Sequence, residues 1–390
     1  MATAAEPSTL TDTARDIAPG GKALVGTARA VAWSVMDAPE ARHAWDALAQ
    51  CASEPNPFHE SWYLLPALRA LDPGAKVKLL RVELDGELAG LIPLRAERKY
   101  YRWPIPQLGN WVHGNCFLGA PLVAAGLERP FWRAVLEWAD QNAGKSLFLH
   151  LGVMPLDGPL YRALQSVLAD QGRLAGLVHR EERAMLCSTQ TAQDYFEESL
   201  SGKKRKELRR QSARLAELGE VKLDRRRDDH RLARWTEDFL ALEHSGWKGT
   251  AGSALASQQT TARLFKEALS GAAAQGKLER LTLTLNDEPI AMLVNFLTTP
   301  GAYSYKTAFD ERYARYSPGV LVQRENLALL EDSQIAWCDS CASADHPMID
   351  HIWRERRPVG RISIAIGGKL RRAIFARLLR AELGRNPAGI

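Results

Sequence analysis

The sequence predicts a mixed α/β (α+β) fold made of two similar halves, each a mixed central sheet flanked by helices. Helical and strand periodicities alternate along the chain rather than segregating. A helix followed by a two-stranded hairpin recurs once in each half with the same residue pattern. The length of 390 residues makes two domains the expectation, at roughly 100–200 residues each. Hydrophobic residues at 46% and charged residues at 25% are ordinary for a globular core, which excludes disorder, collagen and coiled coil as readings of the whole chain.

Residues 1–28 are rich in Ala, Thr, Ser and Gly without an apolar period and read as a flexible arm. Glu6, Asp12 and Asp16 precede any apolar run, so the arm is not a signal peptide. Helical patterns follow over 38–51, opened by Pro39, and over 59–71. Residues 77–84 alternate as a strand, Asp85-Gly86 is a hairpin turn, and 88–94 return. Past the Gly/Pro/aromatic stretch 103–121, a helix over 128–142, a strand over 146–151 and a helix over 158–171 complete the first half.

In the second half 260–274 reads as a helix, and 278–285 as a strand with Leu281, Leu283 and Leu285 on one face. Asn286-Asp287-Glu288-Pro289 is the turn and 290–297 the return strand. Laid side by side, 82–91 and 283–293 share pattern and turn with one inserted residue. Duplication of one plan and chance similarity of two hairpins both account for this. The resulting division is a first unit over 29–190, a second over 191–366 led by a basic helix at 201–218, and a basic amphipathic tail over 367–390.

Fifty-one Lys+Arg against 46 Asp+Glu leave a net charge of only +5, too little to argue globally for DNA binding. Five cysteines, an odd number scattered through a long chain, fit a reducing, cytoplasmic compartment better than a disulfide framework. The uncharged stretch 103–127 is long enough to cross a bilayer, but Pro104, Pro106, Asn110, His113 and Asn115 forbid a lipid-facing helix. A soluble protein that touches membranes is the expectation.

Charge is concentrated instead in 201–215, where Leu208, Leu215 and then Leu218 mark a narrow apolar stripe and seven basic residues surround Glu207. A solvated helix face and a phosphate-recruiting face both fit. The most informative stretch is 303–319. As a strand it directs Tyr303, Tyr305, Thr307 and Phe309 to one side and Ser304, Lys306, Ala308 and Asp310 to the other. Ser317 then reads as an N-cap and Pro318 as the first residue of a helix reaching about 332. Free amides at such a turn form an anion cradle suited to a diphosphate, although every well-capped helix has them.

Upstream, Glu243, Gly246, Trp247 and Lys248 cluster near a helix end. Either Trp247 packs, Lys248 is solvated and Gly246 stops the helix, or Glu243 is a general base and Trp247 walls a substrate pocket. Cys338, Cys341, His346 and His351 have zinc-like ligand types, but residues three apart on a strand face opposite sides, so no metal is expected. P-loop, hydrolase-elbow and zincin motifs do not occur. The His346/Asp350 spacing is one residue short of the glycerolipid acyltransferase motif. His113 sits in a polar loop, where a structural and a functional histidine are both open readings.

The basic run 203–214, Leu242-Glu243 with Gly246-Trp247-Lys248-Gly249, the 283–297 hairpin, and Tyr305-Lys306-Thr307-Ala308-Phe309-Asp310 with Ser317-Pro318-Gly319 together resemble the CelD/BcsL-type GNAT proteins, in that family's order. The resemblance covers about 195–345 well and the first half loosely. Fem-type aminoacyltransferases, which are related, have tandem GNAT halves, in keeping with the repeated hairpin.

The resemblance implies an acyl-CoA-dependent N-acyltransferase with a tandem GNAT fold and acyl-CoA as its co-substrate. It puts the donor's diphosphate at 313–319, with Tyr313, Ser317, Pro318 and Gly319 as donor-binding residues. Tyr305 is a further donor-side candidate, and Trp247, Lys248, His113 and Asn115 are the candidates for the substrate pocket. The superfamily's Gln/Arg-x-x-Gly-x-Gly/Ala signature is absent, with Ser317-Pro318-Gly319 in its place, and Fem-type relatives take aminoacyl-tRNA instead. Under the acyl-CoA reading the 303–309 strand gives a backbone N–H to the thioester carbonyl, Glu243 or Asp310 takes the amine proton, and Lys306 meets a phosphate or the tetrahedral intermediate. Transfer is direct, with no covalent intermediate on Cys338 or Cys341.

The acceptor implied is a cell-envelope amine: an amino sugar of an exopolysaccharide intermediate, or a lipid amine such as a sphingoid base, in the manner of a ceramide synthase. The C-terminal cations and the stripe Leu370, Ile374, Phe375, Leu378 and Leu379 fit either an anionic inner-membrane surface or docking on the protein's own core. Two other classes stay open: a tRNA-dependent Fem-type transferase, and a non-catalytic GNAT-fold sensor.

Overall fold

The computed structural model describes residues 26–344, 346, 348–387, 389 and 390. The arm expected at 1–28 lies outside the described residues up to position 25, and its last three residues open a strand instead. That strand, β1 (Gly26–Ala32), leads through one helical turn, α1 (Trp33–Met36), into α2 (Pro39–Gln50) and α3 (Ser61–Leu71). The hairpin β2 (Lys78–Leu84) and β3 (Glu87–Glu97) follows, then β4 (Gln107–Asn110) and the short β5 (Leu122–Val123). Next come α4 (Glu128–Asn142), β6 (Phe148–Pro155), α5 (Gly158–Asp170) and β7 (Ala175–Leu186).

The second half opens with α6 (Ala192–Ser199) and the basic helix α7 (Gly202–Ala216), then β8 (Val221–Arg226), α8 (Leu232–Ser245), the single turn α9 (Trp247–Thr250) and α10 (Gln259–Ala274). It closes with β9 (Leu278–Leu285), β10 (Glu288–Thr298), β11 (Gly301–Phe309), α11 (Pro318–Asn326), β12 (Trp337–Asp339), β13 (Glu355–Ala365) and α12 (Lys369–Leu383).

All these strands join one mixed sheet in the order β1-β2-β3-β4-β6-β13-β7-β12-β11-β10-β9-β8, with β5 against β3. Pairing is antiparallel except for β4 with β6 and β11 with β12. The chain's last strand returns to the middle of the sheet, where β13 pairs with both β6 and β7. Periodicity alone marks no strand at β7, β8 or β13. The reason is visible in β7, whose centre His179-Arg180-Glu181-Glu182 is charged and largely exposed while both ends are buried.

The repeated hairpins match more closely than the sequence alignment allows. Both turn on two residues at positive φ, Asp85 (50°) with Gly86 (88°) and Asn286 (52°) with Asp287 (65°). Such primed turns match the right-handed strand twist. Glu288 and Pro289 belong to the return strand, not to the turn. Each return strand then bulges at the corresponding place: Ala89 is skipped between Gly90↔Val82 and Leu88↔Glu83, and Ile290 between Ala291↔Leu283 and Pro289↔Thr284. With the bulges aligned, no inserted residue is needed. Each hairpin follows a helix, α3 or α10, and these two helices pack together so closely that a Cβ on Gly271 would lie 2.9 Å from the backbone oxygen of Trp62.

Leu281, Leu283 and Leu285 share one core cluster, as their spacing predicts. In α7, Leu208 and Leu215 are buried, but Leu218 falls past the helix end and stays exposed. An aromatic cluster ties the halves together. Phe58 and Tyr63, from the first half, pack on Phe296, Tyr303 and Tyr305, and the Tyr63 and Tyr305 hydroxyls meet at 3.1 Å. This cluster supports β11 from one side and so fixes the floor on which the site is built.

Candidate active site

Strands β11 and β12 run parallel for three pairs only, from Gly301↔Trp337 to Tyr303↔Asp339. The chain then peels away. Ser340 N–H donates to the Ala184 carbonyl at 3.2 Å, and Cys341 adopts a left-handed conformation (φ 53°) with its N–H on Asp339 Oδ1 at 2.9 Å. From Ser304 onward β11 has no strand partner on that edge, and a cavity of about 560 Å³ opens in the wedge.

A bulge shapes the wall. Tyr305 is skipped in the ladder with β10, where Val294↔Lys306 is followed by Asn295↔Ser304. An extra residue reverses the alternation beyond it, which corrects the faces expected from sequence. Tyr303, Tyr305 and Ala308 share the main core, while Thr307 turns to Gln323 of α11, which donates to its Oγ1 at 3.1 Å, and Phe309 packs in the cluster beneath α11. Lys306 points into the cavity. Its Nζ stands 5.2 Å from the Phe117 ring and 5.7 Å from the Tyr305 ring, and has no hydrogen bond or ion pair among the described residues. Burial, and then repulsion from Lys248, push its pKa down from 10.5 to about 8.

Across the cavity, α8 ends at Gly246 and delivers Glu243. This buried carboxylate accepts from Lys248 Nζ at 3.0 Å and from the Leu255 N–H at 2.8 Å. Glu311 Oε1 accepts from the Trp247 N–H at 2.7 Å, which holds the start of α9 against the chain leaving β11. Both acids are engaged, so Glu243 attracts Lys306 only at a distance and Lys306 is left without a direct ion pair among the described residues. Behind it, fully buried Asp339 holds Arg357 at 2.9 Å and Arg183 at 3.5 Å, and Arg183 also donates to the Phe117 carbonyl at 2.8 Å. This network sets Phe117 and Cys341 at the site's edge.

Of the residues singled out from sequence, Glu243, Trp247, Lys248, Tyr305 and Lys306 meet around the cavity. Others do not. Asp310 lies beyond the wall, and its two carboxylate oxygens are taken by Arg312, at 2.6 Å for the closest pair; those hydrogen bonds hold its pKa below the usual range. His113 and Asn115 sit behind Tyr63. His113 stacks on that ring, and Tyr63 Oη donates to the Asn115 carbonyl. Burial lowers the His113 pKa to about 3, so it is a neutral core imidazole.

The expected cradle is largely filled. Ser317 is left-handed (φ 55°) with no side-chain cap. Its N–H donates to Ala314 O, and its own carbonyl accepts from Val320 and Leu321. Pro318 has no N–H, and a Cβ on Gly319 would lie 2.7 Å from Met348 Sδ and 3.1 Å from the Phe309 ring. Tyr313, Ser317, Pro318 and Gly319 thus stand outside the cavity, behind Phe309 and Met348, which line it. Cys338 lies in β12 and Cys341 past its end, and the two fall in different core clusters, so they do not share the single strand expected from sequence. Phe117, from the other half of the chain, was missed because no local pattern marks a contact between distant segments; Glu311 was missed because one acid after Asp310 carries no signal.

Known proteins share this architecture. Residues 202–346, which supply most of the cavity's lining and both of its strands, match the family model of the acetyltransferase (GNAT) domain. The crystal structure of FemX superposes with a TM-score of 0.54 at 10% identity, covering 87% of this chain and 98% of FemX. The C-terminal domain of a putative lysylphosphatidylglycerol synthetase from Agrobacterium fabrum gives 0.52 at 12% identity, over 87% of this chain and 96% of that one. A conserved protein of unknown function from Bacteroides thetaiotaomicron gives 0.52 at 11% identity, over 83% and 97%. At these identities the likeness is one of fold. No curated protein matches the chain.

Proposed function

We propose that the protein is an N-acyltransferase of the CelD/BcsL type that moves an acyl group from a coenzyme A thioester directly to an amine, in the cavity where β11 parts from β12. The GNAT domain supports an acyltransferase. The observation that carries the finer reading is the largely enclosed ammonium of Lys306, which faces the cavity with no hydrogen bond or ion pair among the described residues, beside an unpaired strand edge. A buried cation left unpaired is costly unless a ligand completes it.

The thioester lies along β11 beyond Tyr303, where strand amides lacking a partner donate to its carbonyl oxygen. As the amine nitrogen bonds to the carbonyl carbon, negative charge grows on that oxygen and Lys306 stabilises it. The amine's proton passes to Glu243 directly or through water, the C–S bond breaks, and the thiolate takes up the proton as the amide is completed. Lys248 holds Glu243 in place at 3.0 Å. Asp310 is not the base, since Arg312 occupies it outside the cavity. The donor's diphosphate is assigned to residues 313–319, which requires Met348 and Phe309 to move off Gly319. Trp247 and Phe117 line the acceptor side, and a cell-envelope amine, either an amino sugar or a lipid amine, is the class proposed. Incubation with acetyl-CoA and longer acyl-CoAs plus such amines tests this by free CoA and product mass. Release of CoA that depends on the amine supports it, and binding without turnover refutes it.

One observation favours a second reading. Lys203, Lys206, Arg209, Arg210 and Arg214 of α7 have no carboxylate partner among the described residues, a face suited to the phosphates of an aminoacyl-tRNA, as in Fem-type transfer. Activity that requires aminoacyl-tRNA and is lost on ribonuclease treatment selects this reading over the first.

A further inference from the structure

The basic tail expected from sequence is α12, and its apolar residues divide between two environments. Phe375 and Leu379, one turn apart, are buried against Tyr100, Phe148 and Ala365, with the Phe148 and Phe375 rings stacked at 5.3 Å. This is docking on the protein's own core. Leu370 and Ile374, also one turn apart, face away and are 77% and 39% exposed. Further along α12, from Phe375 to Glu382, lies an apolar groove of about 610 Å³, walled on its far side by the loop that follows β3. That loop presents Tyr101 and Trp103, each 56% exposed. Tyr100 Oη donates to Glu382 Oε1 at 2.7 Å and Arg361 donates to Tyr101 Oη at 2.7 Å, so loop and helix form one fixed face. Four of the eight exposed large apolar side chains among the described residues belong to this loop and helix. Clustering on that scale marks an interaction surface.

The surroundings are cationic. Arg98, Lys99 and Arg102 of the loop and Lys369, Arg377 and Arg380 of α12 are exposed, and none has a carboxylate partner among the described residues. Of the nearby acids, Glu97 is paired with Arg95 and Glu382 is bound to Tyr100. We propose that this face is a docking surface for an anionic phospholipid bilayer. Trp103 and Tyr101 suit the headgroup level, Leu370 and Ile374 reach the acyl boundary, and the cations meet lipid phosphates. A second copy of this chain is a poor occupant, because two such faces oppose their unpaired cations. A nucleic acid would engage the cations but leave the apolar centre uncovered.

Co-sedimentation of the full chain with vesicles of phosphatidylcholine alone, and of phosphatidylcholine with phosphatidylglycerol, tests this. The expected result is pelleting with the anionic vesicles only, weakened by salt. Leu370→Ser with Ile374→Ser, and separately Trp103→Ser, should each reduce binding by about tenfold or more with an unchanged melting profile, as these side chains are exposed. Lys99→Glu with Arg102→Glu should do the same. The proposal is overturned if anionic vesicles do not pellet the protein, or if the apolar variants bind as the native chain does. RNA binding that needs the cations but not Leu370 or Ile374 overturns it too, as does a dimer in solution that buries this face.

Discussion

Replacing Lys306 with methionine separates a functional cation from a structural one. Methionine preserves most of the side-chain volume between Phe117 and Tyr305 while removing the charge. The native ammonium stands over those rings with no direct ion pair, and burial together with repulsion from Lys248 outweighs the attraction of Glu243, lowering its pKa from 10.5 to about 8. That difference corresponds to about 3 kcal/mol against holding the charge there. The sign follows from proton binding: between about pH 8 and 10.5 the unfolded chain binds the proton and the folded chain does not, so native stability rises with pH across that window. Lys306→Met should therefore be more stable than the native protein at pH 7, by about 1–3 kcal/mol after packing losses. The gap should close as pH approaches 10. Turnover should fall by about a hundredfold or more, the cost of one oxyanion donor. Native turnover should itself decline above about pH 8 as the ammonium deprotonates. Urea denaturation at the two pH values, with CoA release as the activity readout, measures all of this. A Lys306→Met variant that is less stable than the native protein at pH 7, or that turns over normally, refutes the reasoning.

Glu243→Gln should lower turnover by about tenfold or more while the chain stays folded, since the amide still accepts from Leu255 N–H; an unchanged rate in a CoA-release assay removes Glu243 as the base. Asp339→Ala strips the counter-charge from buried Arg357 and Arg183 and should cost about 3–5 kcal/mol by denaturant titration, and a loss under about 1 kcal/mol contradicts the network. Burial lowers His59 and His113 to about 3 and His150 to about 4, so the folded state excludes protons that the unfolded chain binds below 6.5. Their contribution is complete above pH 6.5 and drains away as pH falls, so the urea midpoint should drop steeply toward pH 5 and less steeply in His59→Leu; a flat profile rules this out.

Residues with a local chemical signature were readable in advance. Asp85-Gly86 and Asn286-Asp287 announced their hairpins because few residues accept positive φ, and α4 was bounded as observed by its apolar spacing. Glu243, Trp247, Lys248, Tyr305 and Lys306 could be singled out because they lie within two short segments, and all five line the cavity. Long-range features stayed hidden. β13 carries Arg356, Arg357 and Arg361 and reads as polar, yet Arg357 is buried because Asp339, from another strand, neutralises it. The bulge at Tyr305 depends on register with β10 and cannot be seen within β11 alone. The cradle at Ser317 looked open because sequence does not reveal that Met348 and Phe309 cover Gly319. The apolar stripe of α12 has a helical period whether its residues face protein or solvent, and only the packing of Phe375 and Leu379 divides it.

The central claim is that the donor thioester reacts beside Lys306 in the wedge between β11 and β12. A crystal structure with a non-hydrolysable acyl-CoA thioether tests it most directly. The account predicts the reacting carbon within the wedge, its oxygen in hydrogen-bonding reach of Lys306 Nζ and a β11 amide, and Met348 displaced from Gly319. A nucleotide lodged on another face, with the wedge unchanged, contradicts it.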